Sequence, residues 1–173
     1  MSVIGMDSYP VSVEVDVSDG LPQFATVGLP DVSVKESRDR IRAAIKNSGY
    51  SFPRGHVTVN LAPADIRKEG TGFDLPIAVG ILAAEELIEE GKLADCSFMG
   101  ELSLDGSVKG VRGVLPAAFK ARELGVKSFF VPEENAAEAG MVEGIAVYGI
   151  RTLPDVVEFL AARQPLNPVS LDL

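Results

Sequence analysis

The stretch from Val57 to Ala84, VTVNLAPADIRKEGTGFDLPIAVGILAA, is the part of the sequence that most constrains the fold. Its first residues alternate between apolar and polar side chains, which is the pattern of a half-buried strand, and Pro63 ends the pattern because proline cannot donate to a ladder. A glycine-containing loop follows, and Asp74 then precedes an apolar run with Pro76 in its first turn. The stretch therefore predicts a strand, a loop and a helix, with Asp74 as the helix N-cap.

The segment before this stretch predicts a β-hairpin. Val11 to Val17 alternates apolar and polar residues, as a strand with one solvated face does. The turn at Asp19-Gly20 predicts that Gln23 to Gly28 returns beside this strand as the second arm of the hairpin.

Helices are predicted at regular intervals along the chain. The first runs from about Val32 to Ser48, because Ser33 and Glu36 have capping-box spacing and Gly49 suits the left-handed C-terminal position. The other predicted helices are Asp74 to Glu90, Val114 to Leu124, Glu133 to Ala139 and Thr152 to Ala162, and the other predicted strands are Ser97 to Leu104, Ser107 to Val111, Val126 to Val131 and Ala146 to Ile150.

Hairpins mixed with crossover helices predict the α/β class, as an α+β sandwich with a mixed sheet. A chain of 173 residues is long enough to bury a core of its own, and we expect a single domain over residues 1–163. Residues 164–173 contain two prolines and no periodicity, which is typical of a linker or a frayed end.

Charge and composition exclude several classes of function. A formal net charge of -9 disfavours nucleic-acid binding over the whole surface, although it leaves room for a local basic patch. One Cys and one His give no metal-site spacing and no intramolecular disulfide, so we expect no metal and a reducing compartment. No signal peptide or long apolar run is visible, and the expected location is the cytoplasm, away from the membrane.

Phosphate-binding motifs are missing from the sequence. There is no GxxxxGK[ST] loop, and Gly106, Gly110 and Gly113 lack the spacing of a dinucleotide fingerprint. We therefore expect no cofactor in this chain.

The glycine loop at Gly70-Thr71-Gly72 is the best-placed candidate for catalysis. A nucleophile there would lie at a helix N-terminus, and Thr71 is the hydroxyl of that loop. Its base would have to be an amine such as Lys109 or Lys120. The competing and favoured interpretation is structural, with Thr71 as an ordinary loop hydroxyl.

The first predicted helix carries a basic stripe. Its members fall on one face at helical spacing, and two further cations lie in the loop before the glycines. The stripe is Lys35, Arg38, Arg42 and Lys46, and the loop adds Arg67 and Lys68. It fits a contact surface for DNA or for an acidic face of a neighbouring subunit, or alternatively a solvated helix face paired with Glu36 and Asp39.

The other chemically notable residues have structural interpretations. His56 begins a predicted strand without obvious ligand partners, and Cys96 is expected to be a small buried hydrophobe. The acidic residues Glu85, Glu86, Glu89 and Glu90 are expected to form a solvated helix end rather than a metal cage.

Several long segments of the sequence resemble one family. They are VGLPDVSVKESRDRIRAAIKNSGYSFP, VNLAPADIRKEGTGFDLPIAVGILAA, FMGELSLDGSVKGVRGVLPAAFKARELG and FVPEENAAEA. From about Val3 to Arg163 the chain resembles the N-terminal domain of ComM-type proteins, also called YifB or magnesium-chelatase-like proteins.

The same segments are more distantly similar to the proteolytic domain of Lon proteases, which implies a Lon-protease-domain-like fold. The Lon serine position falls on Gly72 and the lysine position falls near Leu115, so neither member of the catalytic dyad is present. Because glycine and leucine cannot act as nucleophile and base, the resemblance implies a chain without peptidase activity.

The resemblance also implies a larger protein. ComM-type proteins carry this domain before an AAA+ ATPase module, assemble as hexamers and act in DNA branch migration during natural transformation. ATP and Mg²⁺ are accordingly expected in the ATPase module, which is absent from this chain, and residues 164–173 would lead toward it. The domain itself would assist assembly or guide DNA, or would be a purely structural cap of the ring.

Overall fold

The computed structural model describes residues 1–7 and 9–170 and is a mixed α/β fold. Its strands are β1 (Ser2–Met6), β2 (Pro10–Ser18), β3 (Gln23–Val27), β4 (His56–Ala62), β5 (Cys96–Phe98), β6 (Glu101–Leu102), β7 (Val108–Lys109), β8 (Ser128–Pro132) and β9 (Ala146–Ile150). Its helices are α1 (Val32–Asn47), α2 (Asp74–Ala84), α3 (Val114–Glu123), α4 (Glu133–Ala139) and α5 (Leu153–Leu160). The predicted fold class is therefore confirmed.

Seven of the strands form one mixed sheet in the order β3-β4-β2-β1-β5-β8-β9. Strand β2 runs antiparallel to both of its neighbours, and the other pairs in the sheet are parallel. Strand β1 lies between β2 and β5, so it joins the two parts of the sheet. Strands β6 and β7 form a separate antiparallel pair.

The predicted hairpin between β2 and β3 is wrong. Strand β4 lies between them, antiparallel to β2 and parallel to β3. The hairpin partner of β2 is β1, whose Val3 pairs with Val13. The alternation of apolar residues in β2 fixes which face of the strand is buried, but it does not specify which strand lies beside it.

Helices cover both faces of the sheet. On one face, α1, α2 and α5 enclose a core that includes Ile41, Leu75 and Val156. On the other face, α3 and α4 pack over β8 and β9 around Phe129 and Val147. A sheet covered on both sides explains why β8 is almost entirely apolar.

Helix α1 begins with a different cap from the predicted one. The carboxylate of Asp31 accepts a hydrogen bond from the Val34 N–H at 2.8 Å, so Asp31 is the N-cap and Ser33 lies inside the helix. Gly49 has a φ of 87°, which confirms the predicted left-handed residue after the helix.

Helix α2 is shorter than predicted, ending at Ala84 instead of Glu90. Glu86 adopts a φ of 65°, and the Leu87 N–H bonds to the Leu82 carbonyl at 3.0 Å, which closes the helix. Ile88 then turns into the core and is 2% exposed. Burial of this residue overrides the helical preference of the surrounding glutamates.

The predicted strand from Ser97 to Leu104 is two strands, β5 and β6, in the structure. They separate at Gly100, whose N–H and carbonyl bond to the Gly72 carbonyl and the Leu75 N–H. This exchange ties the glycine loop and the start of α2 to the ends of these two strands.

The segment after α5 lies against the domain as far as the structure describes it. Leu166 and Val169 are partly buried on the core, and the Val169 N–H donates to the Val147 carbonyl at 2.7 Å. Residues 164–170 form neither helix nor strand, and 171–173 lie outside the described residues. The domain boundary and the onward linker therefore remain predictions.

Candidate functional site

The glycine loop lies at the N-terminus of α2, beside the ends of β1 and β5. A cavity of about 660 Å³ opens there, lined among others by Met6, Thr71, Gly72, Met99 and Arg112. This is the place where the Lon resemblance puts the peptidase serine, so its side chains decide whether catalysis is possible.

Asp74 does not cap α2 with its side chain; Phe73 is the N-cap residue. The Asp74 carboxylate is buried and accepts hydrogen bonds from the Leu102 N–H and from two nitrogens of Arg40. Burial raises the pKa of Asp74 to about 6, and the Arg40 and Leu102 donors oppose that rise. Asp74 therefore joins α1, α2 and β6, and sequence spacing gave no indication of its partner Arg40.

The predicted dyad positions carry no catalytic groups. A Cβ atom on Gly72 would meet the Met99 side chain at 3.4 Å, so the Gly72 site borders the cavity wall. Leu115 is partly buried and packs against the core around α3 and α4. The position that corresponds to the Lon lysine is thus part of an apolar cluster.

The two amines that the peptidase alternative requires do not line the cavity beside Thr71. Among the described residues, neither Lys109 nor Lys120 lines the cavity, since Lys109 borders a different cavity beside Arg40 and Lys120 pairs with Glu123 at 3.6 Å. The Thr71 hydroxyl forms no hydrogen bond within the described part of the chain. Arg112 also lines the cavity, but an arginine side chain has only donors and no acceptor with which to take a proton from Thr71.

The basic stripe of α1 is exposed in the structure, as helical spacing predicts. None of its members Lys35, Arg38, Arg42 and Lys46 forms an ion pair with a described residue. Arg38 instead donates to the Phe24 carbonyl at 3.1 Å, and the Arg42 guanidinium lies 5.3 Å from the centre of the Phe52 ring. The positive charge of this face is therefore available to a partner.

Arg54 belongs to the same surface, although helical spacing could not indicate it. With Arg42, Lys46 and Phe52 it lines a cavity of about 580 Å³, whose lining residues among those described include no carboxylate. The stacked rings of Phe24 and Phe52 support this cavity. The short loop from Gly49 to Gly55 could have indicated that Arg54 belongs to this surface, because such a loop must keep Arg54 near the end of α1.

Lys68 does not belong to this surface, which corrects the prediction. Its side chain is 0% exposed, its Nζ donates to the Pro63 carbonyl, and desolvation lowers its pKa. Arg67 is exposed, and its Nε lies 3.4 Å from a Glu69 carboxylate oxygen. The loop before the glycines therefore contributes less positive charge than its sequence indicates.

Comparison with known families identifies the chain. The family model described as subunit ChlI of Mg-chelatase matches residues 13–135. The chain belongs to this family. Within the family it is 42% identical over 173 residues to the uncharacterized protein YifB of Salmonella typhimurium, covering 99% of this chain and 34% of the relative. It is 43% identical over 163 residues to the competence protein ComM of Haemophilus influenzae, covering 94% of this chain and 32% of the relative.

This ChlI-family chain spans about a third of the length of these curated relatives. A more distant similarity, 26% over 153 residues, links it to Lon protease 2 of Bacillus subtilis, covering 84% of this chain and 27% of that protein. The predicted resemblance to ComM and YifB proteins, and more weakly to Lon, is thereby confirmed.

The structure also places the remaining candidates of the ChlI-family chain. Cys96 is 7% exposed, which confirms the prediction of a buried thiol, and burial raises its pKa to about 11. His56 begins β4 and is half-buried. Within residues 1–7 and 9–170, no group of three or more His, Cys, Asp or Glu residues is placed to hold a metal ion. No helix in that range is long and apolar enough to cross a membrane.

Proposed function

We propose that this chain is the non-catalytic, Lon-like N-terminal domain of a ComM-type AAA+ ATPase that acts in DNA processing. Its part in that work is to guide DNA along the exposed surface of α1. The observation that carries the proposal is the set of unpaired cations around the α1 cavity, Arg42, Lys46 and Arg54, in a chain whose net charge is -9.

The whole protein supplies what the chain lacks. The proposed ATPase module would bind ATP and Mg²⁺, and hexamer assembly would bring several copies of the α1 surface around the DNA. The relative from Haemophilus influenzae is named a competence protein, which supports a role in competence. Within that role we propose DNA branch migration during natural transformation as the process served, and the cytoplasm as its place.

Phosphate binding explains how the α1 surface would hold DNA. Lys and Arg side chains that neutralise phosphates release counterions, so binding weakens steeply as the salt concentration rises. The cavity lined by Arg42, Lys46 and Arg54 is free of carboxylates among the described residues, so no internal counter-ion competes with a phosphate.

A filter-binding titration of the chain against DNA across salt concentrations tests this role. Arg42→Glu combined with Arg54→Glu should weaken binding more than about tenfold and should reduce the salt slope by about one for each phosphate that is no longer neutralised. Lys127→Glu is the matched control, because Lys127 is an exposed cation outside α1 that pairs with Asp95 at 3.7 Å. Binding that survives the double reversal unchanged would leave the chain as a structural cap.

The peptidase alternative makes a separate prediction. If Thr71 were a nucleophile, Thr71→Ala would abolish hydrolysis of a fluorescent casein substrate by the chain. We expect no hydrolysis above the buffer background with or without the substitution, since neither Lys109 nor Lys120, the amines that this alternative invokes, lines the cavity of Thr71.

A further inference from the structure

Residues 164–170 cross the outer edge of the sheet, and we call them the strap. Leu166 packs on the core beneath α5, on one face of the sheet, whereas Val169 packs on the core beneath α4, on the other face. Between these two anchors the strap passes over β9, which is the last strand of the sheet. The other residues of the strap are exposed, so two side chains hold it in place.

One backbone hydrogen bond joins the strap to β9. The Ala146 N–H donates to the Lys127 carbonyl, just before β8, at 3.0 Å, so Ala146 and every second residue after it face β8. Val147 and Gly149 therefore face away from β8. The Val169 N–H donates to the Val147 carbonyl at 2.7 Å, and no other backbone bond among the described residues reaches this outer edge. The Val147 N–H and the backbone of Gly149 can still pair with a further strand.

The Val169 side chain fills a notch that a glycine creates. A Cβ atom on Gly140 would lie 2.7 Å from Val169 Cγ1, which is too close for two carbon atoms, so any side chain at this position would displace Val169. Gly140 has an ordinary φ of -67°, and what this position uses is therefore the missing side chain. The notch and the Val147 carbonyl together fit a β-branched apolar residue with a free backbone N–H.

Proline limits how well the strap covers the edge. Pro165 and Pro168 have no N–H, so neither can donate to β9. On the α5 side, Pro165 borders a cavity of about 620 Å³ that Phe130 and Phe159 also line, so packing beside the strap is incomplete there. An extended segment without proline could form more backbone bonds to this edge and would compete with the strap.

We propose that the strap guards the outer edge of β9, and that this edge binds one extended, proline-free segment of a partner protein when the strap is displaced. The segment adds a strand beside β9 and places a β-branched apolar side chain in the Gly140 notch. Its backbone bonds supply affinity and the notch supplies specificity. This inference goes beyond the proposed function and does not rest on it, because the strap and β9 contain none of the cations of the α1 cavity.

Limited trypsin digestion measures whether the strap leaves the edge. Cleavage after Arg163, followed by mass spectrometry, should be slow while the strap is docked, because proteolysis acts on the opened state. Gly140→Ala should accelerate this cleavage at least about fivefold, since the added Cβ expels Val169. Gly91→Ala is the matched control, because an added Cβ there meets nothing within 4 Å. An unchanged rate in Gly140→Ala would overturn the guarding role.

Val169→Ser releases the strap in an independent way, because it removes the anchor and leaves the notch empty. It should also accelerate cleavage after Arg163, whereas Asn167→Ser, at an exposed residue of the strap, should leave the rate unchanged. Both positions lie outside the helices and strands, so both variants should fold. Equal rates in these two variants would show that Val169 does not anchor the strap, against the proposal.

A fluorescein-labelled peptide tests the docking site itself. The probe is QTLNTVS, which is the sequence of the strap with threonine at both proline positions, and the reference peptide is the native QPLNPVS. Fluorescence anisotropy should show the probe binding Val169→Ser at least about tenfold more tightly than the wild type, because the strap no longer competes for the edge. The probe should also bind more tightly than the reference peptide, which lacks two backbone donors.

Filling the notch distinguishes this site from any other on the surface. Val169→Ser combined with Gly140→Ala should bind the probe no better than the wild type, since the added Cβ blocks the notch. Probe binding that is equal in all three proteins, or absent from all of them at millimolar peptide, would overturn the docking role. DNA binding by the α1 variants is a separate measurement, so the failure of one proposal can be told from the failure of the other.

Discussion

The guanidinium of Arg40 holds the carboxylate of Asp74 through two hydrogen bonds, of 2.7 and 3.0 Å, across the interface between α1 and α2. Asp74 is 1% exposed, so this pair takes a carboxylate almost completely out of water. The residue next to the Lon-like glycine loop thus fixes the packing of two helices.

Removal of the cation from this pair should destabilise the chain. We expect Arg40→Met to lower the free energy of unfolding at neutral pH by about 3 kcal/mol, because a buried carboxylate then lacks its counter-ion. Urea unfolding followed by circular dichroism measures the loss. The double variant Arg40→Met with Asp74→Asn should recover most of it, and a double variant no more stable than the single one would contradict the assignment.

The same loss should depend on pH. Burial already raises the pKa of Asp74 to about 6 from an ordinary 3.8, and loss of Arg40 raises it further. Below about pH 6, Asp74 is neutral in the folded state of both the wild type and Arg40→Met. The loss of free energy of unfolding caused by Arg40→Met should therefore shrink in acid and grow as the pH rises. The matched control is Glu36→Gln, since Glu36 is the exposed partner of Arg40 at 3.9 Å.

Tyr50 should make the chain sensitive to alkali. Burial, with a hydrogen bond to Glu158 at 2.9 Å, raises the pKa of the Tyr50 hydroxyl above its ordinary value of 10.0. The folded chain then keeps a proton that the unfolded chain loses, so this contribution to stability is present below pH 10 and declines above it.

Tyr50→Phe should therefore cost about 1 kcal/mol at neutral pH, because the hydrogen bond to Glu158 is removed. The gap between the variant and the wild type should narrow as the pH rises above about 10. Urea midpoints measured from neutral to alkaline pH check the trend, and a constant gap would show that Tyr50 does not titrate with unfolding.

Gly28 should tolerate no side chain. Its φ is 106°, and a Cβ there would lie 2.1 Å from the Leu61 carbonyl oxygen. We expect Gly28→Ala to lower the free energy of unfolding by at least about 2 kcal/mol, because it adds backbone strain to a clash with main-chain atoms. At Gly91 an added Cβ meets nothing within 4 Å, so Gly91→Ala should change stability by less than about 0.5 kcal/mol.

Lys68 should be irrelevant to DNA. Because its side chain is fully buried, Lys68→Met should leave DNA affinity within about twofold, unlike charge reversal at Arg54. Its effect on stability should also be small, since removal of a buried charge offsets the loss of the hydrogen bond to the Pro63 carbonyl. Filter binding and urea unfolding on one preparation give both values, and a large loss of affinity would place Lys68 on the DNA-binding surface.

Local patterns predicted the elements of the fold better than their partners. The glycine that follows α1 located the left-handed C-terminal position at Gly49, because this effect acts between residues close in sequence. The insertion of β4 beside β2 depends on contacts between distant residues, which no local pattern records. The β1–β2 pairing could not be predicted for the same reason. In addition, β1 shows little alternation of apolar and polar residues.

For the candidate site, too, local patterns predicted some residues, whereas contacts between distant parts of the chain could not be predicted. Helical spacing was enough to place Lys35 and Arg42 on one face, since a helix fixes its own geometry. It could not show that Arg54 joins them or that Lys68 turns inward, because both outcomes depend on how a loop folds over the domain.

The central place of β1 sets a limit on how the chain can be trimmed. Its five residues alone join β3, β4 and β2 to the parallel strands β5, β8 and β9 within the described sheet. A shortened version that starts at Met6 would divide the sheet into two parts with exposed edges, which tend to aggregate. An N-terminal tag or fusion on this domain should therefore be added before Ser2 and should not replace any residue of β1.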